Sequence, residues 1–204
     1  MSTANKVLGP ADHGVRMTLD EFFEADAEEG YRYELADGVL VVIDIPKTPH
    51  ARVVSWLYGI TRDYQREYPG VIDYFGGGSE IRIWNPDGRS VRHPDLGIVL
   101  PNAAFDTKGN LQAAIVAEVV SPSSQVRDYV EKRRDYLACP VLEYWIVDPI
   151  LRQVTVLIRP GLDVTDWSEQ ILGGEDRLGS RLLPGLDVPI THLWVGLPSE
   201  HDAD

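Results

Sequence analysis

From residue 114 to 120 the chain reads Ala-Ile-Val-Ala-Glu-Val-Val, an apolar run broken by one carboxylate, Glu118. Its β-branched content, and its closure by Ser121-Pro122-Ser123-Ser124, predict a central strand covered on both faces. Upstream, Thr18-Leu19-Asp20-Glu21 matches a capping box, so a short acidic helix is expected to about Glu29, stopped by Gly30. Residues 31–36 and 39–44 flank Asp37-Gly38 as a two-residue hairpin. After Pro46-Lys47-Thr48-Pro49, the positions Val53, Val54, Leu57, Tyr58, Ile60, Tyr64 and Tyr68 recur near helical spacing and predict a long helix from His50 to about Tyr68.

Residues 71–75 and 80–84 read as strands joined through Gly76-Gly77-Gly78, a triplet that lacks the strand-to-helix setting of a phosphate loop and is taken as a loop or bulge. Asn85-Pro86-Asp87-Gly88 is a turn, and Arg92-His93-Pro94-Asp95 leads into the apolar strand that ends at Leu100. Beyond the 114–120 strand, Ser123 or Ser124 caps a helix to about Ala138. Asp128, Lys132 and Tyr136, at steps of four, share one face of it, and Val126, Val130 and Leu137 form the neighbouring apolar stripe. Residues 143–148 and 154–158 read as an antiparallel pair, with shorter strands at 167–172 and 181–183. Residues 1–16 lack a period and are expected to be a flexible lead-in, 17–198 a single domain, and 199–204 an acidic tail.

Composition narrows the class. The 204 residues are 44% hydrophobic and 25% charged, the make-up of one α/β or α+β domain. No run has the apolar length of a membrane span and Met1-Ser2-Thr3-Ala4-Asn5-Lys6 has no signal-peptide core, so no membrane partner is expected and the expected location is the cytoplasm. The single cysteine, Cys139, excludes an intrachain disulfide framework and a Cys-rich zinc site, and beside Pro140 it reads as a small packing residue. A formal net charge of -13 argues against a surface that coats nucleic acid, though not against a local basic cleft.

The chemistry turns on Glu118. An isolated buried carboxylate costs several kcal/mol or takes up a proton, so a metal ion, a Lys or an Arg is expected beside it. Taken alone, other residues have plainer readings. Asp128 and Lys132 form an exposed pair contributing a few tenths of a kcal/mol. Asp95 after Pro94 caps a turn. Glu34, in an alternating hairpin strand, faces either solvent or a site. His50, at a helix start, either touches the site or caps the helix, the structural role being the plainer, and Arg127, Arg133 and Arg134 pair on the surface rather than bind phosphate. Yet Asp95, Glu118 and a Lys from the next helix can meet at one sheet edge.

The strings YELADGVLVV, HPDLGIVL and AEVVSPSS, the spacing Asp128, Lys132, Tyr136, and the following VLEYWIVDP resemble the bacterial Uma2-like (DUF820) endonucleases, a branch of the PD-(D/E)xK restriction-endonuclease-like fold. The resemblance covers roughly residues 17 to 160 and implies an α/β restriction-endonuclease-like core, a mixed β-sheet flanked by helices, with an N-terminal β-hairpin and extra C-terminal strands. The usual pattern has a Lys two residues after the strand acid, where this chain has Val120; the Uma2-like pattern moves the lysine to the helix, and Lys132 matches it. The resemblance thus implies Asp95 and Glu118 as metal ligands, completed by the carbonyl of Val119. It also implies Lys132 as catalytic base or water-orienting cation and Glu34 as an accessory acid. Oxygen ligands suit Mg²⁺ or Mn²⁺ acting on a phosphodiester of DNA, RNA not being excluded, and cutting both strands would suit a homodimer. Two rivals stand beside the nuclease: a binding or regulatory protein on the same fold, and a metal-independent domain with Glu118 paired to Lys132 or Arg133.

Overall fold

The computed structural model describes residues 6–44, 48–78, 80–106, 109 and 111–198. The apolar run folds as β9 (Ile115–Val119), buried throughout, inside a sheet with β5 (Tyr74–Gly76), β8 (Leu96–Val99), β10 (Glu143–Asp148), β11 (Gln153–Ile158) and β12 (Ser168–Gly173) in the order β12-β11-β10-β9-β8-β5. β9 and β10 are parallel and the other pairings antiparallel. The mixed sheet of the expected α/β class is therefore present, with the Glu118 strand in its interior.

Alternation along these strands assigns their two faces. Ile115, Ala117, Val119, Trp145 and Val147 point into one cluster, closed by α2 (Thr48–Glu67) through Val53, Leu57 and Tyr64. Val116, Val120, Tyr144 and Ile146 point the opposite way, into a cluster shared with Tyr136 and Cys139 of the segment that follows β9. Glu118 has the parity of Val116 and Val120, so it faces the latter. That segment is a π-helical turn, Arg127–Glu131, running directly into α3 (Lys132–Ala138).

A second sheet holds β3 (Tyr31–Ala36), β4 (Val39–Asp44), β6 (Ile83–Trp84) and β7 (Val91–Arg92) in the order β4-β3-β7-β6. Its hairpin turns at Asp37 and Gly38, both at positive φ (50° and 74°), as a tight primed turn requires. The Thr18 capping box forms, but α1 (Leu19–Glu24) ends five residues short of the expected stop. Ala25 turns extended so that β2 (Asp26–Ala27) can pair in parallel with β1 (Val7–Leu8). That pairing also gives regular structure to residues expected to be a lead-in; residues 1–5 and the tail 199–204 lie outside the described residues.

Other expectations shift. The strand expected at 80–84 is only β6, and it belongs to the second sheet. Residues 181–183 form no strand; β13 (Arg177–Leu178) pairs with β14 (Val188–Pro189) instead. The stripe Val126 and Val130 is a correction of substance. These side chains are 70% and 62% exposed, because the helical segment turns Asp128, Lys132, Asp135 and Tyr136 inward. No helix among the described residues is long and apolar enough to cross a membrane.

The C-terminus of α3 is closed by a distant side chain. Arg159 Nε and Nη1 donate to the carbonyls of Val141 and Leu137 at 2.7 and 2.8 Å, Nη2 donates to that of Cys139, and the guanidinium lies 5.4 Å from the Trp167 ring centre. Removing the guanidinium leaves these carbonyls without their donor, so Arg159→Met should lower stability by about 2–4 kcal/mol. Urea denaturation checks this, and a change below about 0.5 kcal/mol, the level of an ordinary surface substitution, would remove the capping role.

Candidate active site

β8 and β9 pair Leu96 with Ala117, Gly97 with Val116 and Ile98 with Ile115; extending that register by one residue beyond the paired positions brings Asp95, just before β8, level with Glu118. The Val119 amide donates to Asp95 Oδ2 at 2.9 Å and locks that alignment. Two acids from neighbouring strands are thereby held at one point.

The π-helical turn delivers the cation. Lys132 Nζ lies 2.8 Å from Glu118 Oε2, 3.6 Å from Glu34 Oε1 and 3.6 Å from Asp128 Oδ1, with its side chain 4% exposed. Ser124 Oγ donates to Asp128 Oδ2 at 2.5 Å, and the other Asp128 oxygen is ion-paired with Lys132. Tyr136 donates its hydroxyl to Glu118 Oε1. The expected exposed Asp128–Lys132 pair is thus a buried one. Burial works against the Lys132 ammonium, but Glu118, Glu34 and Asp128 more than offset it and hold its pKa above the ordinary lysine value.

The second sheet contributes the rest. Glu34 of β3 is buried, not solvent-facing: Arg92 Nη1 donates to its Oε2 at 3.1 Å and the His93 amide to its Oε1 at 3.2 Å. Burial would raise the Glu34 carboxyl, but Lys132 and then Arg92 hold it below the usual range. Arg92 also donates to Asp135 Oδ2 at 2.9 and 2.8 Å. Asp95 accepts two bonds on Oδ1, both 3.2 Å, from Arg32 Nη1 and Nη2, and shares Oδ2 with His50 Nε2 at 2.9 Å. Against the pull of burial, His50 and then Arg32 keep its pKa low, at about 2. Of the two readings for His50, the one that touches the site is therefore the one present. Of the triple glycine, Gly76 ends β5 and Gly77 and Gly78 form the loop, with a packing reason: a Cβ on Gly77 would press on the Asp95 carbonyl and come within 2.6 Å of the Tyr58 hydroxyl.

Glu34, Asp95, Glu118 and Lys132 thus converge, and the strand carries Val119 beside them. Arg133 and Arg134 pair with Glu169 and Asp135, as the surface reading expected. Cys139 is buried, and burial pushes its thiol up to about 12, which suits packing and not nucleophilic attack. The reading by residue missed Arg32, Arg92, Asp135 and the part played by Tyr136. Arg32 had a signal, since it precedes Glu34 by two and so shares its face; Arg92 and Asp135 had none, because their pairing joins residues 43 apart.

Carboxylates are in excess here. Glu34, Asp95, Glu118, Asp128 and Asp135 face Lys132, Arg92, Arg32 and, on the outer side of Asp135, Arg134. Glu118 shows the consequence: burial, opposed by Lys132 but reinforced by Asp95, Asp128 and Glu34, pushes its carboxyl above the usual range. Its two oxygens are nevertheless each met, Oε1 by the Tyr136 hydroxyl and Oε2 by the Lys132 ammonium in an ion pair of 2.8 Å. Among the described residues no three His, Cys, Asp or Glu side chains form a ready cage for a metal. Asp95 and Glu118 with backbone and water oxygens remain, a donor set that fits Mg²⁺ or Mn²⁺, which are commonly held by one or two carboxylates. A groove of about 440 Å³ elsewhere, beside Thr18, Asp37 and Arg89, includes none of these residues.

The sequence profile of the Uma2 family, described as "Putative restriction endonuclease", matches residues 19–191. No curated protein matches the chain. Among solved structures it is similar to one described as a putative nuclease belonging to DUF820 from Anabaena variabilis ATCC 29413, with a TM-score of 0.68 and 17% identity over 87% of this chain and 97% of that one. At that identity the likeness establishes the shared fold.

The surplus acid makes the site's members unequal in stability. Lys132→Met should cost about 3–5 kcal/mol, since it leaves Glu34, Glu118 and Asp128 without their common cation. Glu118→Gln should cost less, about 1–3 kcal/mol, because the disfavoured charge is removed and the amide oxygen keeps one of the two donors, while the amide NH2, which only donates, loses the other. Urea denaturation of both variants without added metal is the test; equal stabilities would refute the charge imbalance.

Proposed function

The chain belongs to the Uma2 family, and on that premise we propose that it is a divalent-metal-dependent endonuclease that hydrolyses phosphodiester bonds of DNA in the cytoplasm. The observation that carries this reading is the placement of Asp95 level with Glu118 with the Lys132 ammonium 2.8 Å from the latter, all of it buried. Asp95, Glu118 and the Val119 carbonyl would hold Mg²⁺ or Mn²⁺. The ion would supply polarisation of a nonbridging phosphate oxygen and activation of the attacking water.

The protein's own residues have divided roles. Lys132, with its pKa raised, stays an ammonium and so orients water and offsets developing negative charge instead of serving as a base. Glu34 and Asp128 hold that ammonium from two further sides. Tyr136 keeps its proton, because burial and the neighbouring Glu118 push its pKa well above the usual tyrosine value, and it holds Glu118 in orientation through its donated hydrogen bond. Arg92, between Glu34 and Asp135, ties the second sheet to α3 and fixes Glu34 as the accessory acid. One observation favours a non-catalytic reading: protein donors already reach every oxygen of Asp95 and Glu118.

Calorimetry with Mn²⁺ separates the two. The wild type should bind, and Glu118→Gln and Asp95→Asn should lose binding; equal binding by all three would remove the metal site. With Mg²⁺, plasmid DNA should be cut, and Glu118→Gln should cut more slowly by on the order of 10²-fold or more. Metal binding without cleavage of DNA or RNA would favour the non-catalytic protein.

A pH series gives an independent check. The folded Glu118 carboxyl keeps its proton above the ordinary value of 4.5, so an incoming ion must displace that proton. Mn²⁺ affinity should therefore rise with pH above 4.5, by up to about tenfold per unit, and level off once the folded carboxyl is ionised. A flat profile from pH 5 to 8, read by calorimetry, would contradict Glu118 as a ligand.

A further inference from the structure

The charged members of the site differ sharply in their access to solvent. The side chains of Glu34, Glu118, Asp128, Lys132, Arg92 and Asp135 are each 4% exposed or less, whereas Arg32 is 30% exposed. His50, at 12%, comes next among the groups that touch Asp95. Arg32 and His50 therefore mark the open side of Asp95, from which a phosphodiester can approach that acid, while another exposed partner, Glu131 at 43%, lies against Arg92.

Their bonding is also incomplete. Arg32 places both Nη groups on a single oxygen of Asp95, at 3.2 Å each, instead of matching its fork to two oxygens. Its Nε is buried with no hydrogen-bond partner, and so is Nδ1 of His50. A buried polar nitrogen without a partner costs about 1–3 kcal/mol, and these two flank one carboxylate. Asp95 itself is saturated: the two Arg32 bonds, His50 and the Val119 amide fill about the four acceptor positions a carboxylate has. A divalent ion can reach Asp95 only by displacing one of these donors. The Val119 amide is part of the strand, and His50 is the more enclosed side chain, which leaves the guanidinium.

We propose that Arg32 exchanges partners at this mouth: it neutralises Asp95 while no metal is bound, and on metal binding it leaves Asp95 to grip a nonbridging oxygen of the substrate phosphodiester. This rests on the metal-dependent reading above and assigns the substrate-binding cation that reading lacks. The released guanidinium has the fork that suits phosphate, and its position on β3, two residues from Glu34 and on the same face, keeps it at the edge of the site. The exchange makes Arg32 a competitor of the metal and a partner of the substrate, a combination that a purely structural arginine does not have.

Arg32→Gln, which removes the charge and keeps a polar stem, is compared with the wild type and Arg32→Lys after thermal melts confirm folding. Mn²⁺ calorimetry without nucleic acid should show tighter binding by Arg32→Gln, roughly threefold to tenfold, since the ion no longer competes with a guanidinium. Anisotropy of a short labelled DNA duplex with Ca²⁺ in place of Mg²⁺ should show binding weakened roughly tenfold and the salt slope reduced by about one, with Arg32→Lys restoring the slope. Unchanged or weaker Mn²⁺ binding by Arg32→Gln overturns the exchange, and tighter Mn²⁺ binding with unchanged DNA affinity and salt slope overturns the phosphate contact. Absence of Mn²⁺ binding by the wild type overturns the metal reading and the exchange with it, a result distinguishable because it appears before any variant is compared.

Discussion

A buried ammonium surrounded by carboxylates is the constraint on which this structure turns. Lys132 is reached by Glu118 from the central sheet, Glu34 from the hairpin sheet and Asp128 from its own helical segment. Each of those acids would be costly in the interior alone, and the lysine would be as costly without them. Two sheets and a helix are therefore joined at a point where none can be moved without stranding a charge. Arg92 repeats the arrangement next to it, bridging Glu34 and Asp135.

That constraint explains the orientation of the helical segment. An amphipathic reading would bury Val126 and Val130, yet these valines face solvent while Asp128, Lys132, Asp135 and Tyr136 face the sheet. The wider π-helical turn at Arg127–Glu131 precedes Lys132 and fits a segment that must present charged side chains on its inner face. Exposing two valines forgoes a few kcal/mol of apolar burial, at about 1.5–3 kcal/mol for each such side chain. Satisfying three buried carboxylates outweighs it. The core beneath is carried by the strands, whose alternation supplies an apolar cluster on each face of the sheet.

An excess of acid in the interior is a poor device for stability and a good one for holding a cation. Burial and three neighbouring acids raise the Glu118 carboxyl, whereas Asp95 is kept low by His50 and Arg32. The two acids across one strand pair thus differ: Asp95 is held ionised by side chains at the mouth, whereas Glu118, despite Lys132 at 2.8 Å, keeps a raised carboxyl. Stability given up at such a point is the usual mark of a functional cluster.

The local sequence determined what depends on periodicity and turn chemistry. The capping box at Thr18, the Asp37-Gly38 hairpin, the long helix that became α2, the buried strand around Glu118 and the antiparallel pair β10 and β11 are each set by residues within a few positions of one another. Glu118 also declared its need for a partner, because an acid in an apolar run has no local remedy. Which partners it found was decided only in three dimensions. Arg92 meets Asp135 across 43 residues, Arg32 meets Asp95 across 63, and His50 reaches Asp95 across 45, and no periodic signal spans such distances. The same holds for the early end of α1, which yields to pairing of β2 with β1, and for the inward turn of Asp128 and Lys132. Short-range rules rank conformations of a segment in water, whereas these outcomes were settled by the larger cost of leaving buried charges and amides without partners.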